Sequence, residues 1–423
     1  MGLEKTAEIL FNTSFFIYIL TLITYSIILI NKSKLFKTIG SIMLFTGLLF
    51  QTTGLALRWI EAGLSHPPMT NIYESLIFFA WGIVLVYLYF EKKYQINTIG
   101  ILVIILVLVA MGLASLSPNR NIQPLVPALQ SWWLPLHVFF ASLSYALFLL
   151  SAIFAVLFII KAQKIKMLIA LLFDSFSLFC LLIVGGKSIF LLQPFSLNKV
   201  EFADGKIIHS PELISIPGIN FLFLILAVFF AFGIIRLISK ITTKKTATTK
   251  ETIDPLSQTI SLTCFILYAF SILWLIFVFY TMPGLSPASN PYSLGILILG
   301  FACSILQRIL FIKYSFILNN LPSLNLLDQL SYQTIIISFP LLTLVIVTGS
   351  VWAHYAWGRY WGWDPKETWS LITWFIYALY LHLRFQKGWG GQKTALVSIL
   401  GFFAVIFTYL GVNILLSGLH SYG

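Results

Sequence analysis

Twelve apolar runs, each long enough to cross a bilayer, constrain this 423-residue chain more than any other feature. They fall near 13–31, 37–57, 73–91, 97–116, 136–160, 168–186, 217–239, 260–281, 294–312, 335–352, 367–384 and 395–416. Only 9% of the residues are charged against 59% hydrophobic. With a mean hydropathy of +0.94, no soluble domain of useful size is left over. The expected fold is therefore an all-α polytopic membrane protein with about twelve transmembrane helices, embedded in membrane lipid. The first run lacks a small-residue cleavage site and reads as a retained helix, not a signal peptide. The weakest span is 168–186, because Asp174 inside it makes lipid exposure costly.

The net charge of +12 does not indicate nucleic acid, because Lys and Arg cluster in short loops between spans. Five basic groups, Lys32 to Lys37, Lys92 and Lys93, Lys161 to Lys166, Lys240 to Lys250, and Lys387 with Lys393, fall on one face when the positive-inside rule is applied. The opposite, outward face then carries the loop around position 360. Cys180, Cys264 and Cys303 are isolated in apolar runs and form no CxxC, so any thiol chemistry comes from a partner.

That outward loop is the densest aromatic stretch of the chain. Six of the twelve tryptophans, Trp352, Trp357, Trp361, Trp363, Trp369 and Trp374, stand within 23 positions. Asp364-Pro365-Lys366-Glu367 is a helix start, with Asp364 as cap, Pro365 at the first helical position and Glu367 reaching back. Gly358 and Gly362 interrupt helix upstream, which puts Trp357, Tyr360, Trp361 and Trp363 on an irregular loop at the helix mouth. An interfacial aromatic belt explains such residues; their concentration in one loop also describes a stacking surface for a flat apolar ligand with a polar edge.

The six histidines sort by this topology. His66, His137, His209, His354 and His420 fall on the outer side. His382 lies 18 residues beyond Asp364 on the same helix, roughly 27 Å at about 1.5 Å per residue, so it belongs to a second, inner site. A histidine at a helix end is commonly a hydrogen-bonded interfacial residue. The aromatic setting of His137 and His420 also suits two axial imidazoles clamping a haem iron, and an ionisable residue within a span, as His382 is, marks a functional site.

From Trp357 to Trp369 the chain reads Trp-Gly-Arg-Tyr-Trp-Gly-Trp-Asp-Pro-Lys-Glu-Thr-Trp. This resembles the tryptophan-rich WWD signature of haem-handling proteins, specifically the CcsA/ResC family of system II cytochrome c biogenesis. Leu327 to Tyr332, Phe339 to Thr343, Leu381-His382, Gly411 to Asn413, Gly418 to Tyr422, Trp133 to His137 and Asn71 to Ser75 resemble that family too. The resemblance implies a subunit that carries haem b across an energy-transducing membrane and presents it for covalent attachment to apocytochromes c bearing CxxCH. It implies that His137 and His420 are the outer axial ligands, and that His382 is the intramembrane ligand, its opposite number lying on a CcsB/ResB-type partner. Trp357, Trp361, Trp363 and Asp364 of the signature, with His382, are the expected haem-binding residues. Asp364 and Glu367 also serve as helix caps, and Arg359 meets either a haem propionate or the membrane interface.

Three segments follow: 1–166 with the N-terminal helices and an outer histidine, 167–321 as an insertion of about four spans atypical of the family, and 322–423 as the haem-handling core. No CxxCH occurs, so the chain is not itself a c-type cytochrome. A haem exporter without attachment activity, and a b-type haem subunit of a quinol oxidoreductase, are the rival readings. The excess of Lys over Arg, with abundant Ile, Phe and Asn, suggests AT-rich coding. That fits a plastid thylakoid membrane, or a bacterial cytoplasmic membrane.

Overall fold

The structure is a computed structural model. It describes residues 2–30, 33–63, 66–115, 120–122, 124–125, 129–163, the backbone of 196–203 and 206–215, isolated positions between 228 and 308, and 318–412. The chain divides into one unit formed by Met1–Gln163 with Asn319–Gly423 and a second unit, Lys164–Leu318.

The first unit is helical throughout its described elements: α1 (Leu3–Ile30), α2 (Lys34–Ala62), α3 (Ile72–Tyr94), α4 (Gly100–Ser115, preceded by a 3-10 turn), α5 (Trp133–Gln163), α6 (Leu324–Trp357), α7 (Pro365–Lys387) and α8 (Gln392–Ile406), which runs into a π-turn, Phe407–Gly411. Among the described residues seven helices are long and apolar enough to cross a membrane. Three of the twelve expected spans, 168–186, 217–239 and 294–312, fall wholly or mostly outside the described residues, and 260–281 is described only in part, at helical positions. Helix α7 forms where a span was expected at 367–384 but is not among the seven. Its hydroxyls, His382, Arg384 and Lys387 lower its hydropathy.

Side-chain chemistry sets the helix ends. Ser33, Asn71 and Ser323 accept backbone N–H groups at the starts of α2, α3 and α6, while Gly358 and Gly388 close α6 and α7 in left-handed conformations. Helix α5 is apolar all round and is accordingly the buried centre, packed along α6, α8 and α3. Phe148 of α5 stacks on Tyr377 of α7 at 3.7 Å, and Tyr377 in turn lies over Gly401 of α8, where a Cβ would meet its ring at 2.6 Å. Hydroxyls join three helices: Ser151 Oγ lies 2.9 Å from Ser331 Oγ and 2.8 Å from Ser398 Oγ.

Two polar clusters, the first buried and the second partly exposed, tie the unit together. Glu74 accepts from Arg58 Nε at 2.7 Å and from both the backbone N–H and the hydroxyl of Thr70 at 2.9 Å. The single Thr70 hydroxyl proton therefore goes to Glu74, so His66 Nε2, 3.1 Å from Thr70 Oγ1, must donate. His66 is thus a buried structural donor. Elsewhere, Asp328 receives a bidentate pair from Arg384 at 2.8 and 2.6 Å and the N–H of Gly391 at 3.0 Å, joining α6, α7 and the start of α8.

The second unit contains a feature the helical expectation did not include, an antiparallel hairpin of β1 (Ser196–Ala203) and β2 (Lys206–Ser215) with an irregularity between Asn198 and Val200.

Candidate functional site

A cavity of about 290 Å³ opens within the first unit, at the lower end of the range for small-molecule sites. Its wall takes Thr70, Asn71, Ser75 and Phe79 from the start of α3, and His137, Val138 and Tyr145 from α5. Val345, Gly349 and Trp352 come from α6, Tyr360 and Trp361 from the loop, Lys366, Glu367 and Ser370 from α7, and Thr408 and Tyr409 from the π-turn. Single π-turns of this kind recur at functional positions because they re-aim side chains within a helix.

His137 is held in that wall by both α6 and its own helix. Its Nδ1 stands 2.8 Å from the carbonyl oxygen of Val345, 208 positions away in sequence. A carbonyl only accepts, so Nδ1 carries the proton and the lone pair of the neutral ring is on Nε2, the arrangement that orients metal-binding histidines. The ring lies against Trp352 with centroids 6.2 Å apart and 25° between planes. Beneath it, a Cβ on Gly349 would stand 2.7 Å from Cε1 and 2.8 Å from Nδ1, so only glycine lets the imidazole lie this close to α6.

The aromatic residues divide into separate roles. Trp361 and Tyr360 line the cavity. Trp357 is not on the loop as expected but is the last residue of α6, because the helix continues until Gly358 caps it at φ 75°. It packs edge-on against the buried Trp352 at 4.9 Å and supports the wall from behind. Trp363 points outward, 70% exposed, with φ 57° and an edge-to-face contact to Trp361 at 5.9 Å. Asp364 is buried as the N-cap of α7. Glu367 completes the capping box and accepts from Gly362 N at 2.7 Å and Asp364 N at 3.1 Å, fastening the loop on both sides of Trp363. Arg359 is exposed and lies over Gly362, where a Cβ would stand 2.6 Å from Nε.

In the sequence Lys366 is part of a helix start. It turns into the cavity wall, and burial draws its ammonium down to about 8, the neighbouring Asp364 acting in the opposite direction.

Among the described residues His66, His354 and His382 are not brought to this wall. His354 is exposed and stacks on Tyr360 at 4.3 Å. His382 is exposed far along α7, in line with the exposed Ile372, Phe375, Leu379 and Phe385. His420 lies outside the described residues, as does the side chain of His209. Among the described residues, no three His, Cys, Asp or Glu side chains converge to hold a metal ion.

The family profile described as "Cytochrome C assembly protein" matches residues 69–274 and 290–420, so both the cavity-forming helices and the tryptophan stretch fall within it. The chain belongs to the cytochrome c assembly protein family. It is 32% identical to the cytochrome c biogenesis protein CcsA of Picosynechococcus over 433 residues, covering 100% of this chain and 99% of the relative. The CcsA of Marchantia polymorpha is 32% identical over 98% of this chain and 97% of its own length, and that of Synechocystis is 31% identical over 100% and 99%. Each of these alignments runs through residues 167–321. The seven helices long and apolar enough to cross a membrane among the described residues, with this kinship, make the chain an integral membrane protein.

Proposed function

We propose that this protein holds haem b at the outer face of its membrane and presents it for covalent attachment to apocytochromes c. Family membership supports a role in cytochrome c maturation. One observation carries the finer reading: the His137 imidazole lines a cavity walled by Trp352 and Trp361, and with its Nδ1 proton committed to the Val345 carbonyl its lone pair is on Nε2. His420 is the proposed second axial ligand. Trp361 and Tyr360 flank the macrocycle, while Trp357 backs the wall and Trp363 stands at the rim, where an incoming polypeptide meets the site. Asp364 acts through the loop it caps.

The attachment step adds each CxxCH thiol across a haem vinyl group. A C–S bond forms at the carbon next to the ring and the thiol proton ends on the outer carbon, so the addition itself needs no oxidant. The contribution of this chain is positioning. His382 is proposed as a ligand at a second, inner haem position shared with a CcsB/ResB-type partner. Its exposure in line with Ile372, Phe375, Leu379 and Phe385 supports this, because an imidazole facing lipid alone is costly. The cyanobacterial and plant sources of the relatives support a thylakoid membrane as its location.

Co-expression with the partner and a reporter apocytochrome tests the reading. Thioether-bound haem on the reporter is expected, and its loss with His137→Ala. Haem reaching the outer compartment without any thioether product would favour export alone.

A further inference from the structure

We propose that Lys366 is the anchor for a carboxylate of the cavity's ligand, and so selects a macrocycle with an acidic edge over one without. The inference rests on the haem reading above and assigns a residue to the ligand's polar edge.

The charged groups in the wall are arranged unequally. Among the described residues Lys366 and Glu367 are its two ionisable side chains apart from His137 and the tyrosines Tyr145, Tyr360 and Tyr409. Glu367 is committed: one of its oxygens takes the N–H groups of Gly362 and Asp364. Arg359, the cation that the sequence offered for this task, is exposed against Gly362 and does not line the cavity. Among the described residues Lys366 is the wall's cation, with the Asp364 carboxylate nearby, in the first turn of α7 where the helix dipole also favours an anion. Its depressed ammonium supports the assignment, because a buried cation is stabilised by an arriving opposite charge. His137 meanwhile comes to the same cavity from α5. A ligand held by its metal at His137 and by a carboxylate at Lys366 is fixed at two points, which determines the rotation of the ring in its own plane.

Binding of haem and of haem dimethyl ester to the purified full-length protein, followed by absorption, decides the matter. The wild type is expected to bind haem more tightly than the ester. Lys366→Met should lose about tenfold or more in haem affinity, as a charge-assisted hydrogen bond implies, with ester binding unchanged, and Lys366→Arg should retain most of the preference. Equal wild-type affinities for acid and ester, or equal loss of both in Lys366→Met, would overturn the assignment. The wild-type comparison stands even if Lys366→Met fails to fold. The underlying haem reading is judged separately by His137→Ala: an unshifted Soret band there removes the ligand assignment, whatever the ester comparison shows.

Discussion

His137 and His382 are the same residue type in opposite surroundings. The first is half-buried, its tautomer set by a backbone carbonyl, its ring bounded by Trp352 and by the bare backbone at Gly349. The second stands on an outer face of α7 among exposed apolar side chains. The contrast teaches that one imidazole is oriented by its own chain, whereas the other is exposed and, on the function proposed above, is oriented by a partner. A site of the first kind should work in the isolated protein, and one of the second kind only in a complex.

The sharpest way to break this comparison is to exchange the two losses. His137→Ala should abolish the outer haem spectrum of the isolated protein, lowering affinity by more than tenfold. His382→Ala should leave that spectrum unchanged and remove haem only when the partner is present. If both variants behave alike in the isolated chain, the distinction is wrong. Next in size is Gly349→Val, where a Cβ has no room below the imidazole. Displacing His137 should reproduce most of the His137→Ala spectral change, at an overpacking cost of about 1–3 kcal/mol, while Lys366-dependent ester discrimination remains. Thermal unfolding and haem titration together measure the two parts.

A smaller effect is expected at the opposite end of α7. Asp328→Ala removes a bidentate partner of the partly exposed Arg384 and should lower stability by about 1–2 kcal/mol without moving the outer haem band. A shifted band would show that the two ends of α7 are coupled.

The pH dependence of Lys366 is the mildest test. Its pKa is lowered from 10.5 to about 8 by burial. As pH rises through 8 the folded side chain loses its charge, so haem binding should weaken between pH 7 and pH 9 in the wild type and stay flatter in Lys366→Met. Stability moves the other way. The unfolded lysine stays protonated until about 10.5, so the cost of burying its charge is present in full below pH 8 and fades between pH 8 and 10.5. His137, Tyr145, Tyr360, Glu367 and Tyr409 face the same cavity, which makes the difference between wild type and variant the quantity to read.

The local signals were those that the sequence carries most directly. The helix start at Asp364, with Glu367 reaching back, is present as read, because a capping box is a contact between residues three apart. The long apolar runs before 163 and after 324 likewise appear as helices. What escaped was set by distant partners. The Val345 oxygen that fixes His137 belongs to a carbonyl, a group every residue has, so no spacing marks it out. Trp357 was placed in the loop because Gly358 and Gly362 look equivalent in sequence, yet only Gly358 caps α6, and it does so after Trp357. Lys366 beside a proline looked like helix punctuation. Its direction depends on how α7 packs on α5 and α6, which residues 364–367 do not encode by themselves.

The two hydrogen bonds that the N–H groups of Gly362 and Asp364 donate to Glu367 have a mechanical consequence. With Trp363 gripped from both flanks and seated in a backbone conformation that non-glycine residues seldom adopt, the segment behaves as a fixed jaw, not a swinging flap. On the function proposed above, cargo would enter and leave by the movement of some other element.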